Sequence, residues 1–302
     1  MSFRNLAPAI VAALIYTLLD TDSASAWGPG VHVALGTQIL EQAALLPAAI
    51  AGLITRFAGD YLYGTLAADV VFAKRLSAIK QFCHHWSTGF AVLDRASTDR
   101  GRAFAYGYLS HLAADTVAHG KYVPYQLAVT RSTVNFGHVY WELRADATVE
   151  PEAWNRVRAI SAGSYGDHHG VLAGVLTRTF LPFDANQELF FRINRLCGRS
   201  SWQRTMAVWE RCSRYPLSPA LLARYHSECI DRTICLLTSM RRSPLLLEDP
   251  NGTAALAYIR AHRREMRRLK RRGLPRRQRI RETAASHAPA IWPTTHTLPL
   301  AG

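Results

Sequence analysis

One stretch constrains this chain more than any other: residues 101–120, GRAFAYGYLSHLAADTVAHG. Apolar residues recur there at helical spacing, and His111, Asp115 and His119 fall at i, i+4 and i+8, on one face of the helix. Ionisable groups aligned inside an otherwise apolar helix are costly to bury unless something compensates their charge. In HVYWE, His138 and Glu142 repeat the four-residue spacing in a second apolar segment. A single such pair is ordinarily a structural contact. Two pairs, one extended by a further His, favour a bound cation, because imidazole and carboxylate converging from separate helices are what a zinc site in a helical bundle requires.

The rest of the chain reads the same way. Residues 31–46 and 136–149 and several segments between 151 and 240 carry helical periodicity, and no alternating strand pattern or internal repeat stands out. The spacing predicts a helix over 101–120, ended by Gly120 and by Pro124 a few residues on. The fold class is therefore all-α, a multi-helix bundle. At 49% hydrophobic and 19% charged residues, disorder is not the default.

The first 26 residues have the layout of a secretory signal: Arg4, the apolar run LAPAIVAALIYTLL over 6–19, and the small residues ASA over 24–26. The run is shorter than the roughly 20 residues a spanning helix needs, and Pro8 interrupts it. Cleavage after Ala26 makes Trp27 the mature N-terminus and places the protein in the periplasm or outside the cell. A helical domain over 27–240 then precedes a basic, partly disordered C-terminal extension over 241–302, whose end is rich in Pro and Thr. The formal charge of +14 concentrates there: residues 260–281 hold twelve Lys or Arg against Glu265. Such a run is either a solvated tail or a seat for anionic partners, lipid headgroups or nucleic acid. The four cysteines from Cys197 to Cys235 are either disulfide partners or buried thiols, with Cys83 left over, and no CxxC pair occurs. Nothing in the sequence calls for an obligate protein partner.

Further motifs precede the two helices: WGPGVH with Trp27 and His32, GTLAAD with Asp69, and FCHHW with His84 and His85. Taken in order with HLAADTVAH and GHVYWE, over Trp27 to Asp146, they resemble the zinc-dependent phospholipase C family. That family is related to the S1/P1 nucleases, and the resemblance implies the same bundle type. It also implies three zinc ions. Trp27, through its α-amino nitrogen and carbonyl oxygen, would hold one with His32 and a bridging Asp115. A second would sit among Asp69, His84, His111 and Asp115, and a third among His119, His138 and Glu142. His84 fits the family's spacing better than His85, though both stay open. The gaps from Trp27 to His32 and from Asp115 to His119 are shorter than in the best-known members. His168 and His169 lie outside the pattern and read as loop residues.

The activity so implied is phosphodiester hydrolysis by a phospholipase C, which releases diacylglycerol and a phosphorylated headgroup at a phospholipid or membrane surface. Asp69 is the candidate general base. Residues 170–191 offer aromatic side chains for a membrane surface or for the core. A single-strand nuclease of the S1/P1 kind is the alternative, to which the basic tail lends weight. A zinc-stabilised, non-enzymatic membrane binder ranks last.

Overall fold

The computed structural model describes residues 27–71, 82–130, 134–176, 181–213, 215 and 217–289. Residues 1–26, expected to be a secretory signal, and the Pro- and Thr-rich end from residue 290 lie outside the described residues. In chain order the helices are α1 (Pro29–Glu41), α2 (Ala48–Arg56), α3 (Ala58–Ala67), α4 (Trp86–Arg95), α5 (Asp99–Val117), α6 (Val123–Val129) and α7 (Val134–Asp146). They continue as α8 (Pro151–Ala162), α9 (Gly166–Val175), α10 (Phe183–Cys197), α11 (Ser200–Arg211), α12 (Pro219–Ser239), α13 (Thr253–Arg271) and α14 (Arg277–Ser286). No strand occurs among the described residues, so the protein is all-α.

The bundle is organised around α5. Its start is set by Thr98, whose hydroxyl oxygen accepts the Gly101 N–H at 3.0 Å, with Asp99 in the first turn. From Gly107 to Val117 every residue of α5 is buried, so that this stretch has no solvent face and runs through the centre of the bundle. The helix does not end as its sequence predicts. At 118–122 the coil widens to i→i+5 hydrogen bonding and runs on into α6, whose second residue is Pro124.

α3 crosses α5 at very short range because a glycine faces a glycine. A Cβ on Gly64 would stand 2.0 Å from the Phe104 carbonyl oxygen, and one on Gly107 would stand 2.0 Å from that of Tyr61. α1 packs across α3, and its first N–H groups, on Gly30 and Val31, donate to the buried Asp146 carboxylate at 3.4 and 2.9 Å.

Two features differ from expectation. In the part expected as a basic, partly disordered extension, residues 241–289 are packed: Leu245, Leu256 and Ile259 belong to the same hydrophobic core as α5. The basic residues of α13 mask an apolar face that the charge run hides from a composition reading. His168 is not in a loop but on α9, buried, with Nε2 2.7 Å from Asp60 Oδ1 and its ring stacked on Phe104. Phe190 and Phe191 go to the core, and all five cysteines are free thiols.

Candidate metal centre

The face of α5 that carries His111 and Asp115 meets α1, the end of α3 and the short turn Phe82–His84 in the middle of the bundle. Asp115 is fully buried, and imidazoles surround it. The distances to its carboxylate are 3.2 Å from His111 Nε2, 3.3 Å from His84 Nε2, 3.5 Å from His32 Nε2 and 3.9 Å from His119 Nδ1. Asp69 closes the group, with Oδ1 3.3 Å from His84 Nε2 and Oδ2 4.0 Å from His111 Nε2. His32 and His111 stack with ring centroids 3.9 Å apart. His84 is buried, whereas His85 is exposed.

Backbone groups fix the imidazole tautomers. His111 Nδ1 lies 2.9 Å from the Thr65 carbonyl oxygen, and His119 Nδ1 lies 2.6 Å from that of Pro250. A carbonyl only accepts, so both Nδ1 atoms carry the proton and both Nε2 atoms present a lone pair. His111 Nε2 turns that lone pair toward His84 Nε2, 3.2 Å away. Two ligands of a tetrahedral zinc with bonds of about 2.05 Å stand about 3.3 Å apart, so the spacing fits a shared cation. Both Asp115 oxygens, His32 Nε2 and His119 Nε2 are buried without an aligned hydrogen bond. In a folded interior such orphaned atoms call for a partner.

Two triads bring their ligand atoms within 4.8 Å of one another: His32, Asp69 and His111, and His84, His111 and Asp115. The third expected group is looser. His138 Nε2 and Glu142 Oε1 approach to 3.0 Å without hydrogen-bond alignment, and the His119 and His138 rings lie 5.3 Å apart. These three residues are neighbours, but among the described residues they do not form a triad as tight as the other two. Trp27 is buried beside the group, its indole N–H donating to the Ala114 carbonyl at 3.3 Å and its ring stacked on Tyr122.

The electrostatics follow from burial. Burial pushes the Asp115 carboxyl up, but His111 and His119 beside it hold it well below the usual range. Burial pulls His111 down, and Asp115 and Asp69 overcome it, so its pKa is raised. His32 is lowered by burial and by the facing His111, and His119 is lowered by burial to about 3. Glu142 is raised by burial. Neutral His32 and His119 beside an ionised Asp115 form a donor set suited to a dication.

Sequence reading missed the groups that aim these ligands. The carbonyls of Thr65 and Pro250 have no side-chain signature. Asn251, whose amide donates to the His84 carbonyl at 3.2 Å, sits in the turn EDPNG, which marks a turn but not where it docks. Asp146 was legible only as the end of the motif region, not as the group that receives the first N–H groups of α1.

A model of the family described as zinc dependent phospholipase C matches residues 31–174, a span that includes every candidate ligand except Trp27. No curated protein and no solved structure matches the chain.

Proposed function

Since residues 31–174 belong to the zinc-dependent phospholipase C family, we propose that the chain is a phospholipase C that hydrolyses membrane phospholipids to diacylglycerol and a phosphorylated headgroup. The observation that carries this reading is the buried convergence of His32, Asp69, His84, His111 and Asp115, with both Asp115 oxygens left without aligned donors. Asp69, His84, His111 and Asp115 would hold one zinc, His32 and Trp27 a second that shares Asp115, and His119, His138 and Glu142 a third. Bound zinc supplies Lewis-acid neutralisation of the phosphate oxygens and acidifies water.

The chain's own residues set direction and proton traffic. Asp115 is sealed from solvent and Glu142 nearly so, whereas the Asp69 side chain is 17% and that of His138 13% exposed. Substrate therefore approaches along the side bounded by Asp69 and His138. Asp69 is the carboxylate of the group that meets water there, which fits it to take the proton of the attacking water. The seats of His111 on Thr65 and of His119 on Pro250 keep both lone pairs pointed inward throughout.

Phosphorus NMR of the exported protein with phosphatidylcholine vesicles tests the reading, with zinc supplied or chelated. Zinc-dependent appearance of phosphocholine is the expected result, and Asp69→Asn, which removes a zinc-holding carboxylate as well as the base, should abolish it even at zinc concentrations that restore full occupancy. The net charge of +14 favours a second reading, single-strand nuclease activity. A zinc-loaded protein that leaves the vesicles intact and cuts single-stranded DNA would replace the first reading with the second.

A further inference from the structure

Away from the metal centre, α13, the turn after it and α14 enclose a cleft of about 1070 Å³ against the end of α6. Six basic side chains line it: Arg263, Arg267, Lys270, Arg276, Arg277 and Arg281, with no carboxylate among the lining residues. The acids of α13 and α14 are already engaged, Glu265 with Arg279 and Glu282 with Gln278. Arg263 is half-buried with its guanidinium on the Leu127 carbonyl, and its pKa is pulled down by burial and by Arg267 beside it. The cleft is therefore a self-repelling cationic surface held in place by the fold, not a solvated tail.

Its second property is apolar. Val129 and Leu274 both line the cleft, and they are 42% and 47% exposed, among the few large hydrophobic side chains left open to solvent. Met266 and Ile280 extend the apolar lining. Among the described residues no Phe, Tyr or Trp lines it, and they offer no platform on which unstacked bases would lie. Basic residues around exposed aliphatic side chains match a layer with anionic phosphates above and acyl chains below. No helix among the described residues is long and apolar enough to cross a membrane, so attachment through this face is peripheral.

We propose that the cleft between α13, α14 and the end of α6 docks the protein on anionic phospholipid bilayers, with Arg267, Lys270, Arg277 and Arg281 on the headgroup phosphates and Val129 and Leu274 at the acyl boundary. This docking is separate from the reaction at the metal centre and holds whichever phosphodiester is cleaved there. α6 begins four residues after His119, so the attached face and the metal centre share one continuous segment of backbone.

The experiment is flotation of zinc-loaded protein with vesicles of phosphatidylglycerol and phosphatidylcholine, and with phosphatidylcholine alone. It is run also on the Asp69→Asn background so that hydrolysis does not erode the vesicles. Binding confined to the anionic vesicles is expected. Replacing Arg267, Lys270, Arg277 and Arg281 together by Ala should weaken it about a thousandfold, and Val129→Ser with Leu274→Ser should weaken it at unchanged charge. All six side chains are exposed, so an unchanged thermal midpoint reports an intact fold. Failure to bind anionic vesicles, binding indifferent to the four-residue variant, or tighter binding of single-stranded DNA through the same residues would each overturn the proposal. Turnover of a monomeric short-chain phosphatidylcholine by the four-residue variant is a separate readout. Its loss in every form of the protein would count against the phospholipase reading and leave the docking result standing.

Discussion

The imidazoles of His111 and His119 are aimed by the Thr65 and Pro250 carbonyls, far from them in sequence, and at the residue scale this divides what can be read from what cannot. The ligand types and their four-residue spacings are side-chain facts, so His111, Asp115, His119, His138 and Glu142 stand out in the sequence itself. The choice of His84 over His85 needed the fold, which buries one and exposes the other. Asp146 shows what remains hidden. Burial pushes its carboxyl up to about 7, against the pull of the Val31 and Gly30 N–H groups. Between about pH 4 and pH 7 the folded state therefore keeps a proton that the unfolded chain has released. The stability this contributes is complete below the unfolded pKa and lost as pH rises toward 7, with a slope of up to about 1.4 kcal/mol per pH unit. Thermal melts of wild type and Asp146→Asn, at one zinc concentration across pH 4 to 8, should show the difference between them falling up to pH 7 and flat above it.

At the scale of elements, periodicity located the helices but not how they meet. α1 and α7 each begin two residues earlier than their apolar pattern indicates, α1 because Pro29 fits the first helical turn. The close crossing of α3 and α5 was invisible for a different reason: a glycine inside a helix reads as a weak position until its opposite number is known. Gly64 against Gly107 lets the Thr65 carbonyl reach His111 Nδ1, so the crossing and the ligand geometry are one feature. Gly64→Ala and Gly107→Ala should each cost about 3 kcal/mol or more, since the added methyl meets backbone that cannot step aside. Each should also lower zinc content. Gly52→Ala on α2, where a Cβ meets nothing within 4 Å, should instead stabilise by up to about 1 kcal/mol through helix propensity. Urea denaturation with zinc analysis of the three variants separates the close approach from propensity, because the same substitution is expected to act with opposite sign.

For the whole molecule, the main difference between sequence and structure is that the chain beyond Met240 belongs to the centre. Composition marked that part as basic and open, because Arg and Lys outnumber the apolar residues that hold it down. Those few are enough, and between Leu245 and Leu256 the strap 248–252 closes behind the candidate metal ligands. The Glu248 carbonyl accepts the Trp86 indole N–H at 2.8 Å, the Pro250 carbonyl accepts from His119, and the Asn251 amide donates to the His84 carbonyl. Gly252 makes the strap possible twice over. Its φ of +58° is unfavourable for any other residue, and a Cβ there would stand 2.5 Å from both the Cβ and the carbonyl oxygen of His119. Gly273, after α13, has a φ of +68° but open space around it. Gly273→Ala should therefore cost only the backbone strain, about 1 kcal/mol. Gly252→Ala adds a collision that pushes the strap off His119, and should cost about 3 kcal/mol or more. If the strap aims His119, Gly252→Ala should also lower zinc affinity when measured by competition with a chelator, while Gly273→Ala leaves it at the wild-type value. Equal zinc affinity in the two variants would mean that His119 keeps its direction without the Pro250 carbonyl, and that the C-terminal part supports the bundle without steering its centre.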